Sequence, residues 1–246
     1  MSGFRLGILA TLTYFAIIAV ATFYFFQLRE APSDIRGVLS LLFPVQLVAV
    51  IVCLAVIVRF IGWRAAGFGN MSWSGMIWFL PGWAVLGLMA LGIAEAAAAD
   101  NLRDWNATGL ALLVLTTLLI AIGEEVTFRG ILLRGALTRL SVPSAMLFST
   151  VAFGLFHFVN GLAGQNAADT SQQVIFAVLA GFFLAPIALR VGNLWPLIIW
   201  HWLWNMGLIL GQSAGVFHPF VLIGIAIQAV VSIWLWAALI RTLRLH

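Results

Sequence analysis

The chain has 246 residues, 63% of them hydrophobic and 8% charged, against roughly 45–50% and 25% in soluble domains. Twelve basic and eight acidic side chains are too few to cover a water-soluble fold of this length, which excludes a soluble enzyme, a disordered tail and a disulfide-stapled secreted module. The single cysteine, Cys53, leaves no disulfide framework or cysteine-based zinc site, and the scattered arginines do not form the clustered patch that binds nucleic acid.

Eight apolar runs reach the roughly 20 residues a helix needs to cross a bilayer. In chain order they cover residues 6–26, 38–61, 76–94, 108 to about 133, 143–160, 172–189, 195–211 and 219–240. The first exceeds a signal-peptide core of about 7–15 residues and no A-x-A cleavage site follows, so a retained helix is expected. The polar segments between runs are short and rich in charge, Gly, Trp and Asn. No linker, low-complexity tract or clear repeat divides them. The expectation is one all-α integral membrane domain over residues 1–246, a polytopic bundle of about eight transmembrane helices.

Arginine positions orient that bundle. With a cytoplasmic N-terminus, Arg5, Arg59, Arg64, Arg129, Arg134, Arg139, Arg190, Arg241 and Arg244 fall towards the cytoplasm, and only Arg29, Arg36 and Arg103 fall outside. This is the positive-inside bias, and it puts both termini in the cytoplasm. Glu30, Asp34, Glu95, Asp100, Asp104 and Asp169, all assigned to loops, take the opposite side. Trp63, Trp73, Trp78, Trp105, Trp195 and Trp234 sit near span ends, as interfacial anchors do. Gly207 and Gly211 form a G-x-x-x-G spacing that lets helices approach closely.

A few ionisable residues remain inside the apolar runs: Glu124 and Glu125, His157, and His201 with Asn205 one turn later. Such groups are costly in hydrocarbon and mark functional pathways when they face a bundle interior. Glu125 and Arg129 are four apart with the acid first, the favourable order for a helical ion pair. Glu124, rotated by about 100°, is left free to exchange a proton, as a general base must. His201 and Asn205 share one helix face, as do Phe153 and His157. At about 1.5 Å per residue, His201 lies roughly 10 Å and His157 roughly 20 Å from the cytoplasmic ends of their helices. Glu124 reaches a similar depth only if its helix continues past Arg129, which apolar Ile131-Leu132-Leu133 permits.

Glu124-Glu125-Val126-Thr127-Phe128-Arg129 resembles the E-E-x-x-x-R motif of the CPBP intramembrane proteases, a family that includes the CAAX prenyl endopeptidases and the bacterial Abi proteins. Phe153-Gly154-Leu155-Phe156-His157 resembles its F-x-x-x-H, and His201-Trp202-Leu203-Trp204-Asn205 its H-x-x-x-N. Arg190-Val191-Gly192-Asn193-Leu194-Trp195 matches the usual lead-in to the last motif. The motif-bearing core covers about residues 121–208.

The resemblance implies an eight-helix bundle with a catalytic cavity open to the cytoplasm, in a bacterial plasma membrane. It implies hydrolysis of a peptide bond in a membrane-associated, and in some relatives prenylated, protein or peptide. In that scheme Glu124 activates water, His157 helps polarise it, His201 and Asn205 stabilise the oxyanion, and Glu125, Arg129 and Phe153 give support. Two cofactor arrangements stay open: zinc held by His157 and His201 with Glu124 or Glu125, or activation of water without metal. No serine, threonine or cysteine occupies a matching motif position, which disfavours a covalent route. The alternatives are a proton- or ion-coupled transporter and a catalytically silent immunity or scaffold protein of the same family.

Overall fold

The computed structural model describes residues 2–29, 32, 34–216 and 220–244; Glu30, Pro219 and the side chain of Arg244 lie outside the described residues. Eight long helices follow one another: α1 (Gly3–Leu28), α2 (Ile35–Ile61), α3 (Trp73–Ala98), α4 (Ala107–Ala136), α5 (Val142–Leu162), α6 (Ala167–Val191), α7 (Trp195–Ala214) and α8 (Phe220–Arg244). The described residues form no strand, only an isolated antiparallel bridge between Phe68 and Asn193. The fold is an all-α helical bundle and the chain an integral multi-pass membrane protein.

Seven of the helices are long and apolar enough to span a membrane. The eighth, α7, has 20 residues but falls short in apolarity, because Trp195, Trp200, His201, Trp202, Trp204 and Asn205 crowd its first half. The expected count of eight spans is therefore met by eight helices, of which seven meet both criteria. Several helices also outrun the expected boundaries. Glu95 lies in the last turn of α3 and Asp169 in the first turn of α6, not in loops.

Short polar side chains set the helix starts. Asp34 accepts from the Gly37 amide at 2.7 Å, Asn106 from Gly109 at 2.8 Å and Asn166 from Asp169 at 2.9 Å, each satisfying a first-turn N–H that lacks a helical partner. The α6–α7 connection is tight for identifiable reasons. Gly192 ends α6 in the left-handed conformation (φ 71°), where glycine avoids the Cβ penalty. Asn193 Nδ2 donates to the Gly69 carbonyl at 2.7 Å, and the Leu194 amide donates to that of Gly67 at 2.8 Å. These bonds tie the α2–α3 loop to the start of α7.

α1 runs antiparallel to α4, and the pairing keeps a regular register. A β-carbon on Gly135 would meet the Gly3 carbonyl oxygen at 2.6 Å; one on Gly7 would meet the Ile131 carbonyl oxygen at 3.2 Å; Tyr14 reaches Gly123. Gly3 and Gly7 thus form the small-residue face that packs α1 closely. The G-x-x-x-G at Gly207 and Gly211 does less. Gly207 faces Met89 of α3, whereas Gly211 meets only Val216 of its own connection.

Two apolar cores result. One joins α3, α6, α7 and α8 around Phe79, Phe183, Trp200 and Leu235. The other joins α1, α2, α4 and α5 around Tyr14, Cys53, Phe128, Phe153 and Phe156. The ionisable residues singled out above lie where the motif segments of α4, α5 and α7 meet.

Candidate active site

α4 carries the two glutamates at the end of its regular part, immediately before a wider-wound segment. It is α-helical from Ala107 to Glu125, π-helical from Val126 to Leu132, and α-helical again to Ala136. The expected continuation beyond Arg129 is therefore present, but wider-wound; such π segments occur mostly at functional sites. Ser149 of α5 donates to the Phe128 carbonyl in this segment at 2.8 Å, and Thr127 pairs with the Cys53 thiol of α2 at 3.1 Å.

Within this frame Glu124, Glu125, Arg129 and His201 are all buried. Arg129 Nη1 donates to Glu125 Oε1 at 2.9 Å, the expected i,i+4 pair. His201 Nδ1 reaches the same oxygen at 2.8 Å. A carboxylate held by a guanidinium accepts hydrogen bonds, so His201 Nδ1 bears the hydrogen. Its other nitrogen, Nε2, stands 3.5 Å from Glu124 Oε2. Neutral, that Nε2 would turn a lone pair towards an acceptor oxygen, so a favourable contact requires a proton on one of the two or a bridging donor. Glu124 Oε2 has no hydrogen-bond partner among the described residues.

Phe153 is the hub of the cluster. Its ring lies 4.1 Å from the Arg129 guanidinium carbon, 4.9 Å from the His157 ring and 6.0 Å from the His201 ring, edge-on to both. The guanidinium lies over its ring in cation–π geometry, and the Nε and Nη2 of Arg129 find no hydrogen-bond acceptor among the described residues. His157 ends the regular part of α5 at a turn, where the sequence suggested a position inside the span. Its Nδ1 pairs with the Phe153 carbonyl at 2.9 Å. A carbonyl only accepts, so Nδ1 donates and Nε2 is the acceptor of the neutral ring. His157 is within electrostatic reach of Glu124, His201 and Arg129.

The structure thus gathers the expected residues but pairs them differently. The side chain found against Glu124 is His201, held from behind by Glu125. Asn205 lies one turn along α7, half-buried, with no hydrogen bond to the described residues. His157 and Asn205 are half-buried, whereas Glu124, Glu125, Arg129 and His201 are buried. Tyr14 and Gln46, buried on α1 and α2, went unremarked in the sequence, although a tyrosine and a glutamine amid apolar runs were a visible signal.

The donor set does not fit a zinc centre. Both His201 nitrogens are directed at carboxylates, and Glu125 is taken up by Arg129. Among the described residues no three histidine, cysteine or acidic side chains come together in a group able to hold a metal ion, whereas catalytic zinc takes three protein ligands.

These features define a multi-pass helical membrane protein with a buried carboxylate–histidine centre. Residues 105–207 match the family model for type II CAAX prenyl endopeptidase Rce1-like proteins. The match encloses all the candidate residues from Glu124 to Asn205 and supports the resemblance of this part of the chain to the CPBP/CAAX protease family. No curated protein and no solved structure matches the chain.

Proposed function

We propose that the chain is an intramembrane endopeptidase that hydrolyses a peptide bond of a membrane-associated protein or peptide, with prenylated substrates the first to test. The observation that carries this proposal is the division between adjacent carboxylates. Glu125 Oε1 is taken by both Arg129 and His201, whereas Glu124 makes no hydrogen bond to the described residues; each carboxylate keeps one buried oxygen without a partner, and that of Glu124 stands 3.5 Å from His201 Nε2. A buried carboxylate with a free oxygen beside an imidazole is equipped to move a proton.

In the proposed reaction Glu124 takes a proton from water as the water oxygen attacks the peptide carbonyl carbon. His157, its Nδ1 fixed by the Phe153 carbonyl, offers Nε2 to orient that water. The carbonyl oxygen becomes an oxyanion, met by the Nε2–H of protonated His201 and by the Asn205 amide. Glu124 then returns its proton to the amine nitrogen as the C–N bond breaks. General acid–base action of this kind contributes about 10²- to 10⁴-fold, and an oxyanion donor about 10²- to 10³-fold. Cys53, Thr127 and Ser149 are tied into interhelical contacts, which favours direct attack by water over a covalent route.

An open apolar groove of about 260 Å³ on the outer face between α1 and α5, lined by Leu12, Phe15, Phe128, Leu155 and Phe156, has room for a hydrocarbon chain, whether of a lipid or of a substrate. Phe156 also touches the His157 ring at 5.6 Å. The arginine distribution supports a site reached from the cytoplasmic side.

The test is to purify wild type and Glu124→Ala in detergent and offer both a panel of farnesylated and acyl-anchored peptides, with and without a strong chelator. Wild type is expected to cleave a panel member that the variant leaves intact, at a rate the chelator does not change. Equal cleavage by the two proteins would overturn the role of Glu124. A chelator-sensitive rate restored by zinc would overturn the metal-free route.

A further inference from the structure

α1 and α2 lie outside the segment that matches the family model, yet they bring a buried tyrosine, with a buried glutamine beside it, against Gly123, the residue before Glu124. The buried stripe of α1 is Gly7, Ala10, Tyr14, Ile18 and Thr22, the i, i+3, i+4 spacing of one helix face. Its glycine end fixes α1 against Ile131 and Gly135, and that register brings Tyr14 to Gly123. A β-carbon at Gly123 would lie 2.8 Å from the Tyr14 hydroxyl oxygen and 2.9 Å from its ring, so residue 123 must be glycine for the tyrosine to seat. The next residue along α4 is Glu124, so the tyrosine packs directly against the backbone that carries it.

The hydroxyl also has a partner. Tyr14 Oη donates to Gln46 Oε1 of α2 at 3.4 Å, and both side chains are buried. On its other face the tyrosine ring packs on Phe156 at 5.4 Å, the residue before His157. Tyr14 is therefore wedged between the backbone that carries Glu124 and the turn that carries His157. A phenol in such a place is costly unless hydrogen-bonded, and an all-apolar contact would serve packing equally well.

We propose that Tyr14, oriented by Gln46, is a positioning residue for Glu124: the α1–α2 pair holds the glutamate in the geometry needed to accept the proton of water. The inference rests on the proposed role of Glu124, and it assigns part of the site to helices beyond the family segment. Tyr14 is fully buried and acts through Glu124, not on substrate.

The experiment uses the full chain in detergent and the panel peptide that wild type cleaves fastest. It compares Tyr14→Phe, Gln46→Leu, the double variant and Glu124→Gln. Tyr14→Phe keeps the ring and removes only the hydroxyl; Gln46→Leu leaves the tyrosine untouched. Each single variant is expected to lower kcat about tenfold, near the lower end of the loss when a partner one step behind a reacting group is removed. KM stays unchanged and the acidic limb of the pH–kcat profile moves; the thermal midpoint falls in Gln46→Leu, which leaves the buried hydroxyl without its partner, so kcat is read per folded molecule. The double variant is expected to lose no more than the worse single one, because the two groups act as a unit. Wild-type kcat and pH profile in Tyr14→Phe and Gln46→Leu, with Glu124→Gln inactive, would overturn this inference alone. An active Glu124→Gln would overturn the role of Glu124 and this inference with it.

Discussion

Trp200 and His201 are neighbours in sequence and both are buried, but α7 turns them into different surroundings. Trp200 enters an aromatic core with Phe79 at 5.9 Å, Phe183 at 6.1 Å and Trp204 stacked at 5.1 Å. His201 enters the polar cluster, with Glu125 at 2.8 Å and Glu124 at 3.5 Å. In the first region stability comes from many small dispersion contacts, so loss of a few atoms is graded. In the second, each ionisable group is tolerable only because another compensates it, so loss of one member leaves a buried charge exposed to apolar surroundings. Damage in the aromatic core should therefore appear in folding alone, and damage in the polar cluster should separate stability from turnover.

The largest expected effect on folding is at Arg129. Arg129→Met strands Glu125 in an apolar interior and should cost about 3–5 kcal/mol, the usual penalty for breaking a buried pair from one side. Arg129→Met/Glu125→Gln should recover most of that stability without recovering activity. Reversible unfolding in detergent–denaturant mixtures reads both, and a double variant as unstable as the single would contradict the pairing. Next comes Asn205→Ala, which removes a half-buried amide with no structural partner among the described residues. A kcat loss of about 10²- to 10³-fold with the thermal midpoint unchanged is expected in steady-state assays; unaltered turnover would remove Asn205 from the site. The smallest effect is at Phe183→Leu in the aromatic core. It should cost roughly 1 kcal/mol, a typical core substitution, with kcat per folded molecule at the wild-type value.

Much of this contrast was legible in the sequence because charge is so scarce in it. Glu124, Glu125, Arg129, His157 and His201 stood out against apolar runs, and the i,i+4 spacing of Glu125 and Arg129 forecast their 2.9 Å pair. Which histidine faces Glu124 was not legible. Counting about 1.5 Å per residue along straight helices gives a depth but not how the helices cross or rotate, and those decide that His201 meets the glutamates. The π segment from Val126 to Leu132 also escaped, because its residues are ordinary helix formers and the widening depends on contacts with α2 and α5. The Gly3–Gly7 face was hidden for a similar reason: in a chain with 23 glycines, only the register with α4 shows which of them are contact points. Tyr14 and Gln46 were visible as polar residues in apolar runs, but they carry no charge, so the scarcity of charge did not single them out.

The central claim is that of two adjacent buried carboxylates, Glu124 performs the chemistry while Glu125 supports it. Its most direct test is the turnover of Glu124→Gln per folded molecule, on the peptide wild type cleaves best and normalised to the folded fraction. The substitution keeps shape and hydrogen-bonding capacity but removes the base. A loss of about 10²- to 10⁴-fold per folded molecule, whatever the shift in thermal midpoint, is the predicted result; turnover within a few-fold of wild type would contradict the account.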